Sequence, residues 1–120
     1  MSRDASKQSV TAGGRFPKDR AQPRYSITAL AEVVEPVSRR RVTGWTSLIS
    51  DSGCLVRAKD PLAMGTIVKL RIEQDGKTFE TWARVANASA EDGMGLAFFD
   101  TAQSERDTLK CWMAEARLAQ

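Results

Sequence analysis

From Tyr25 onward, apolar side chains recur at every second position. Tyr25, Ile27, Ala29, Ala31 and Val33 alternate with Ser26, Thr28, Leu30, Glu32 and Val34. A period of two puts one set on each face of a strand, so this segment reads as a long first strand, ended by Pro36. A second strand is expected over Arg39 to Ser50, rich in β-branched and aromatic residues, with a turn at Asp51, Ser52 and Gly53. Cys54 to Ala58 reads as a short third strand before Asp60-Pro61, and Thr66 to Glu73 as a fourth, opened by Gly65. Asp75-Gly76 is the strongest hairpin signal in the chain, because both turn positions favour positive φ. It leads into a fifth strand from Lys77 to Ala88. The Asp92-Gly93 turn precedes a sixth, Met94 to Phe99. Six short strands with turns every ~8–12 residues predict a small antiparallel barrel or sandwich rather than βαβ units.

The period changes in the last twenty residues. Leu109, Trp112, Met113 and Ala116 fall at i, i+3, i+4 and i+7, one face of a helix. Asp100, Thr101 and Ser104 are the candidate N-caps. The helix is expected to cover an end or edge of the sheet, since an open edge invites unwanted pairing. Its Trp/Met stripe reads as core. The 120 residues suit one domain.

No apolar run approaches the roughly 18 residues that span a bilayer. The N-terminus has no secretory h-region, so a cytoplasmic location without membrane insertion is expected. The absence of histidine removes Ser–His–Asp triads, Cys–His pairs and histidine-bound metals. No acid/base or nucleophile constellation stands out, so neither catalytic residues nor a metal or other cofactor is expected. Cys54 and Cys111 share no motif, and both are expected to be buried, reduced thiols.

The net charge of +3 is unevenly spread. Residues 1–24 carry +4, whereas the remaining 96 carry −1. A basic arm of this kind seeks an anion. Residues 1–14 are poor in large apolar groups and end in Gly13-Gly14, which predicts a disordered tail before a domain spanning 15–120. Within the arm, Arg20 and Arg24 flank Ala21-Gln22-Pro23. Pro23 disfavours a helix here, so the two guanidinium groups lie on an extended or turning segment before the first strand.

Two motifs together carry a resemblance. Arg20-Ala21-Gln22-Pro23-Arg24 matches RxxxR just before the first strand. Ser50-Asp51-Ser52-Gly53 matches the second half of (D/N)xSxxG on the next hairpin. With the closing segment Trp82 to Phe98, which ends in "DGMGLAFF", the chain resembles the PilZ domain over about residues 15–117. That family is the bacterial receptor module for cyclic di-GMP. The resemblance implies a six-stranded antiparallel β-barrel with a C-terminal helix. It also implies that Arg20 and Arg24 recognise phosphate and guanine, since arginine forks match both in bidentate fashion. Ser50 and Gly53 would shape the opposing wall, Gly53 by permitting close backbone approach. At the Asp/Asn position this chain has Leu48, which cannot accept from guanine N1–H and N2–H₂.

The leading reading is a stand-alone cyclic di-GMP receptor that relays the signal to an effector protein through its arm. Leu48 favours the alternative, a degenerate PilZ domain serving as a protein-interaction adaptor without nucleotide. A third reading, a single-strand nucleic-acid binder, would show steep salt dependence; nucleic acid is not the expected partner. Arg39, Arg40 and Arg41 have two readings: extra positive field beside the ligand, or charge protecting a strand start. Trp45 and Trp82 are expected in packing rather than base stacking.

Overall fold

The computed structural model describes residues 23–119. Six strands follow in chain order: β1 Leu30–Glu35, β2 Arg40–Ile49, β3 Gly53–Arg57, β4 Ile67–Gln74, β5 Lys77–Ser89 and β6 Gly93–Phe99. A helix, α1 Gln103–Ala119, completes the chain. The strands close into one antiparallel barrel in the order β1-β2-β3-β6-β5-β4, and β4 pairs back onto β1. The expected barrel with its C-terminal helix is the observed architecture.

Alternation decides which side chains fill it. Ala31 and Val33 on β1, Leu70 and Ile72 on β4, and Phe79 and Leu96 are fully buried inside. Each large apolar side chain so buried contributes about 1.5–3 kcal/mol. The β4–β5 hairpin turns on Asp75 (φ 54°) and Gly76 (φ 76°), the pair of positive angles that the Asp-Gly dipeptide predicts. The β1–β2 turn is held by Glu35. Its carboxylate accepts from the N–H groups of Ser38 (2.7 Å) and Val37 (3.0 Å), and hydrogen bonding, chiefly to Ser38, keeps its pKa below the ordinary carboxylate value.

The first strand departs from the expected span. Ladder pairing begins at Leu30, whereas Tyr25 makes an isolated bridge to Ile49. Between them Thr46 replaces the ladder. Its hydroxyl accepts from the Ala29 N–H (2.9 Å) and donates to the Ile27 carbonyl (2.5 Å). Its own N–H donates to the Ala29 carbonyl. The alternation persists through this gap: Ile27 and Ala29 are buried, Ser26 and Thr28 exposed.

Helix α1 seats Leu109 and Trp112 in the core, with Met113 and Ala116 packed at its margin. Trp112 meets Phe79 nearly edge-on at 6.4 Å. Since the barrel is closed, there is no free sheet edge for α1 to cover, and it packs against β5 instead. None of the three candidate caps holds its N-terminus. The Ala102 carbonyl accepts the first helical N–H groups, from Glu105 and Arg106. Thr101 is drawn aside by a 2.7 Å hydroxyl contact with Thr81. The Glu105 carboxylate instead accepts from the Glu80 N–H at 2.7 Å, which ties the first turn to β5.

The cysteines differ, contrary to expectation. Cys54 is buried in the barrel, but Cys111 is exposed, because its neighbour Trp112 takes the inward face of the helix. Burial pushes the Cys54 thiol pKa well up, disfavouring the thiolate. One thiol, Cys111, is expected to react with a thiol-specific reagent in the native protein, and both after unfolding. Native mass spectrometry after timed labelling reads this; two native adducts would contradict the burial of Cys54.

Candidate ligand-binding site

The bridge between Tyr25 and Ile49 defines one end of the barrel. The Tyr25 N–H donates to the Ile49 carbonyl and the Ile49 N–H to the Tyr25 carbonyl, each at 2.9 Å. This brings the end of the arm, Pro23-Arg24, against the end of β2 and the turn that follows. Arg24 is exposed here; Arg20 and the rest of the arm, with the expected tail, lie outside the described residues.

A β-bulge in β2 decides which way the hairpin faces. Thr46 pairs with Val56 and Leu48 with Leu55, so Ser47 is the extra residue. Val42, Gly44 and Thr46 point inward. Unbroken alternation would carry Leu48 and Ser50 into the core as well. The bulge shifts the phase, so that Ile49 is the fully buried residue and Leu48 is only partly buried. Leu48 shares a face with its partner Leu55, which is itself buried but lies outside the interior cluster. Leu48 therefore stands on the outer wall.

The turn is tightly held. The Ser50 N–H donates to the Gly53 carbonyl at 2.9 Å. The Ser50 hydroxyl accepts from the Ser52 N–H at 3.3 Å and lies 3.4 Å from the Gly53 carbonyl. Ser50 is 1% exposed, so it shapes the turn from within. Gly53 is buried and pairs with Ala97 on β6, while the Ser52 carbonyl accepts from the Phe98 N–H.

Beside this turn is a cavity of about 390 Å³ lined by Pro23, Tyr25, Asp51, Lys110, Met113, Ala114 and Arg117. The arm, the turn and α1 thus meet at one place. Lys110, Met113, Ala114 and Arg117 are themselves spaced i, i+3, i+4, i+7, a second stripe beside the core stripe. Sequence reasoning missed Tyr25, Lys110 and Arg117 as wall residues. The signal for the helical pair was this second stripe, and it acquires meaning only once the arm is placed against it. A larger cavity of about 500 Å³ lies at the β4–β5 turn, beside half-exposed Trp45, but Glu73 and Asp75 outnumber Lys77 on its wall, which disfavours an anion.

Trp82 packs on the surface beneath Lys69, whose Nζ is 4.7 Å from the ring centroid. Arg41 pairs with Glu32 at 3.0 Å. At about 3.3 Å per residue, Arg41 stands about 26 Å along β2 from Ile49, which favours the strand-start role for this cluster.

A family model, the PilZ domain, matches residues 18–115, and the chain belongs to that family. No curated protein matches it. Solved structures share the fold, among them the following three. The Bacillus subtilis inhibitor of motility MotI/DgrA superposes with a TM-score of 0.68 at 18% identity over 87% of this chain. This chain spans about half of that protein, 54%. The PilZ domain of YcgR from Escherichia coli, solved with c-di-GMP, gives 0.67 at 11% identity, covering 86% of this chain and 94% of that one. The PilZ domain of CeSA from a cellulose-synthesizing bacterium gives 0.59 at 26% identity, covering 71% and 88%.

Proposed function

We propose that this chain is a cyclic di-GMP receptor, with residues 15–24 as a binding arm on a barrel domain that extends to residue 120. The observation that carries the reading is the Tyr25–Ile49 bridge, which sets the end of the RxxxR segment against the Ser50–Gly53 turn. Family membership and the YcgR domain solved with c-di-GMP support the same ligand. Arg20 and Arg24 take phosphate and the guanine O6/N7 edge, and the hairpin forms the opposing wall. The chemistry is binding rather than turnover. The signal passes to an effector protein through the reshaped arm, in the cytoplasm. Among the described residues no helix is long and apolar enough to cross a membrane.

A ligand that binds only the folded state raises its stability, by about 2.7 kcal/mol at 100 times Kd. Thermal unfolding with and without cyclic di-GMP tests this: a melting temperature that climbs with ligand supports the receptor, and an unmoved one the adaptor reading that Leu48 favours.

Leu48→Asn separates the two further. An outward amide supplies the acceptor that guanine N1–H and N2–H₂ lack, a gain of about 1 kcal/mol, so binding is expected to tighten up to about tenfold. The melting temperature of the free protein should stay put, because Leu48 is on the outer wall. A lower melting temperature with no gain in affinity would show the side chain to be core.

A further inference from the structure

We infer that helix α1 is a third wall of the ligand site, with Lys110 and Arg117 holding a phosphate of the bound dinucleotide opposite the arm. The inference rests on the receptor reading above and assigns residues that neither of the two motifs contains. Its basis is the cavity at the Tyr25–Ile49 bridge. One side is Pro23 and Tyr25, one is Asp51, and the third is the stripe Lys110, Met113, Ala114 and Arg117.

The charges on that stripe are arranged for an anion. Lys110 and Arg117 are both exposed, and among the described residues neither is paired with a carboxylate. They stand two turns apart, about 10 Å along the axis, with only Met113 and Ala114 between them on this wall. An anion lying along the stripe therefore meets a cation at each end and an apolar floor. Arg117 is in the last turn of α1, where the helix dipole already favours a cation. Among the described residues Asp51 is the one acid in the lining. It repels phosphate, so the phosphate lies along the helical stripe rather than against the turn. A ligand held by Arg24 and by α1 joins the arm to the helix, and this gives the binding event a second element through which to act.

The test is titration of cyclic di-GMP into the full chain and into K110A, R117A and the double variant, with R24A alongside. Each helix variant should weaken binding about tenfold, and the pair on the order of a hundredfold, since each removes a charge-assisted hydrogen bond. Melting temperatures of the free proteins should match wild type, because both side chains are exposed. Amide exchange over residues 110–119 should slow in wild type on adding ligand and not in the double variant. If wild type binds, R24A loses binding and the double variant retains it, the helical wall is overturned while the receptor reading stands. If wild type does not bind, both fall.

Discussion

Replacing Arg24 by alanine is expected to remove most cyclic di-GMP binding. Truncating one member of a desolvated charge pair typically costs about 2–5 kcal/mol, roughly 30- to 4,000-fold in Kd. The site gives the reason. Arg24 sits one residue from the Tyr25–Ile49 bridge, which makes two backbone hydrogen bonds and so fixes where the guanidinium stem leaves the barrel. That bridge uses main-chain atoms only, so it survives the substitution and the barrel end keeps its place. Arg24→Lys should recover little, because a compact ammonium cannot present the planar fork that phosphate or the guanine O6/N7 edge accepts in bidentate fashion. An R24A variant that binds within threefold of wild type would remove this arginine from the site.

The largest effect on stability is expected at Gly93. Its φ is +90°, and a Cβ there would lie 2.0 Å from the Val56 carbonyl oxygen and 2.8 Å from the Arg57 Cα. Both obstacles are backbone atoms of β3, so no rotamer change relieves them. Forcing a side chain into this conformation costs about 1–3 kcal/mol, and the overpacking adds a similar amount. Gly93→Ala should therefore lose about 2–6 kcal/mol, a large fraction of the stability of a domain this size. Gly76→Ala is the matched control: φ is +76°, but nothing lies within 4 Å of the added carbon. It should lose only the conformational part, about 1 kcal/mol. Urea unfolding of the two variants reads the difference. Equal losses would mean that the contact with β3 is not what holds Gly93.

Much of this architecture is legible because burial follows periodicity more closely than hydrogen bonding does. Ile27 and Ala29 alternate with Ser26 and Thr28 as a strand should, and their burial obeys the pattern although no ladder runs through them. The ladder is interrupted by one hydroxyl, Thr46, from a residue seventeen positions away, and local sequence carries no trace of that. The helix stripe of Leu109 and Trp112 is legible for the same reason as the strands. Its start is not, because Thr101 and Glu105 answer to partners on β5 rather than to the helix. Cys111 looks buried from its apolar neighbours along the chain, but around the helix it lies on the outer face.

At the site, the Tyr25–Ile49 bridge brings Arg24, Ser50 and Gly53, the residues that motif spacing singles out, to one end of the barrel. The phase of β2 was harder to read. From Val42, strict alternation puts Leu48 inside, and only the extra residue at Ser47 turns it outward, while Ile49 takes the core and Ser50 stays buried within its own turn. Adjacent Leu48 and Ile49 are compatible with either phase, so the bulge leaves no distinct mark. Lys110 and Arg117 were legible as a helical stripe, but not as a wall, because a surface stripe is defined by what faces it. That neighbour is Tyr25, some eighty-five residues earlier in the chain.

The central claim is that the arm and the hairpin of this chain enclose cyclic di-GMP, and isothermal titration of that dinucleotide into the full chain tests it most directly. Saturable heat is expected, with an affinity that falls as salt rises because phosphates are being neutralised, and no comparable heat with GMP, which offers one phosphate and one base. Absence of heat at protein concentrations of about 100 μM, where a Kd of 10 μM would be plain, would contradict it, as would equal binding of GMP and the dinucleotide.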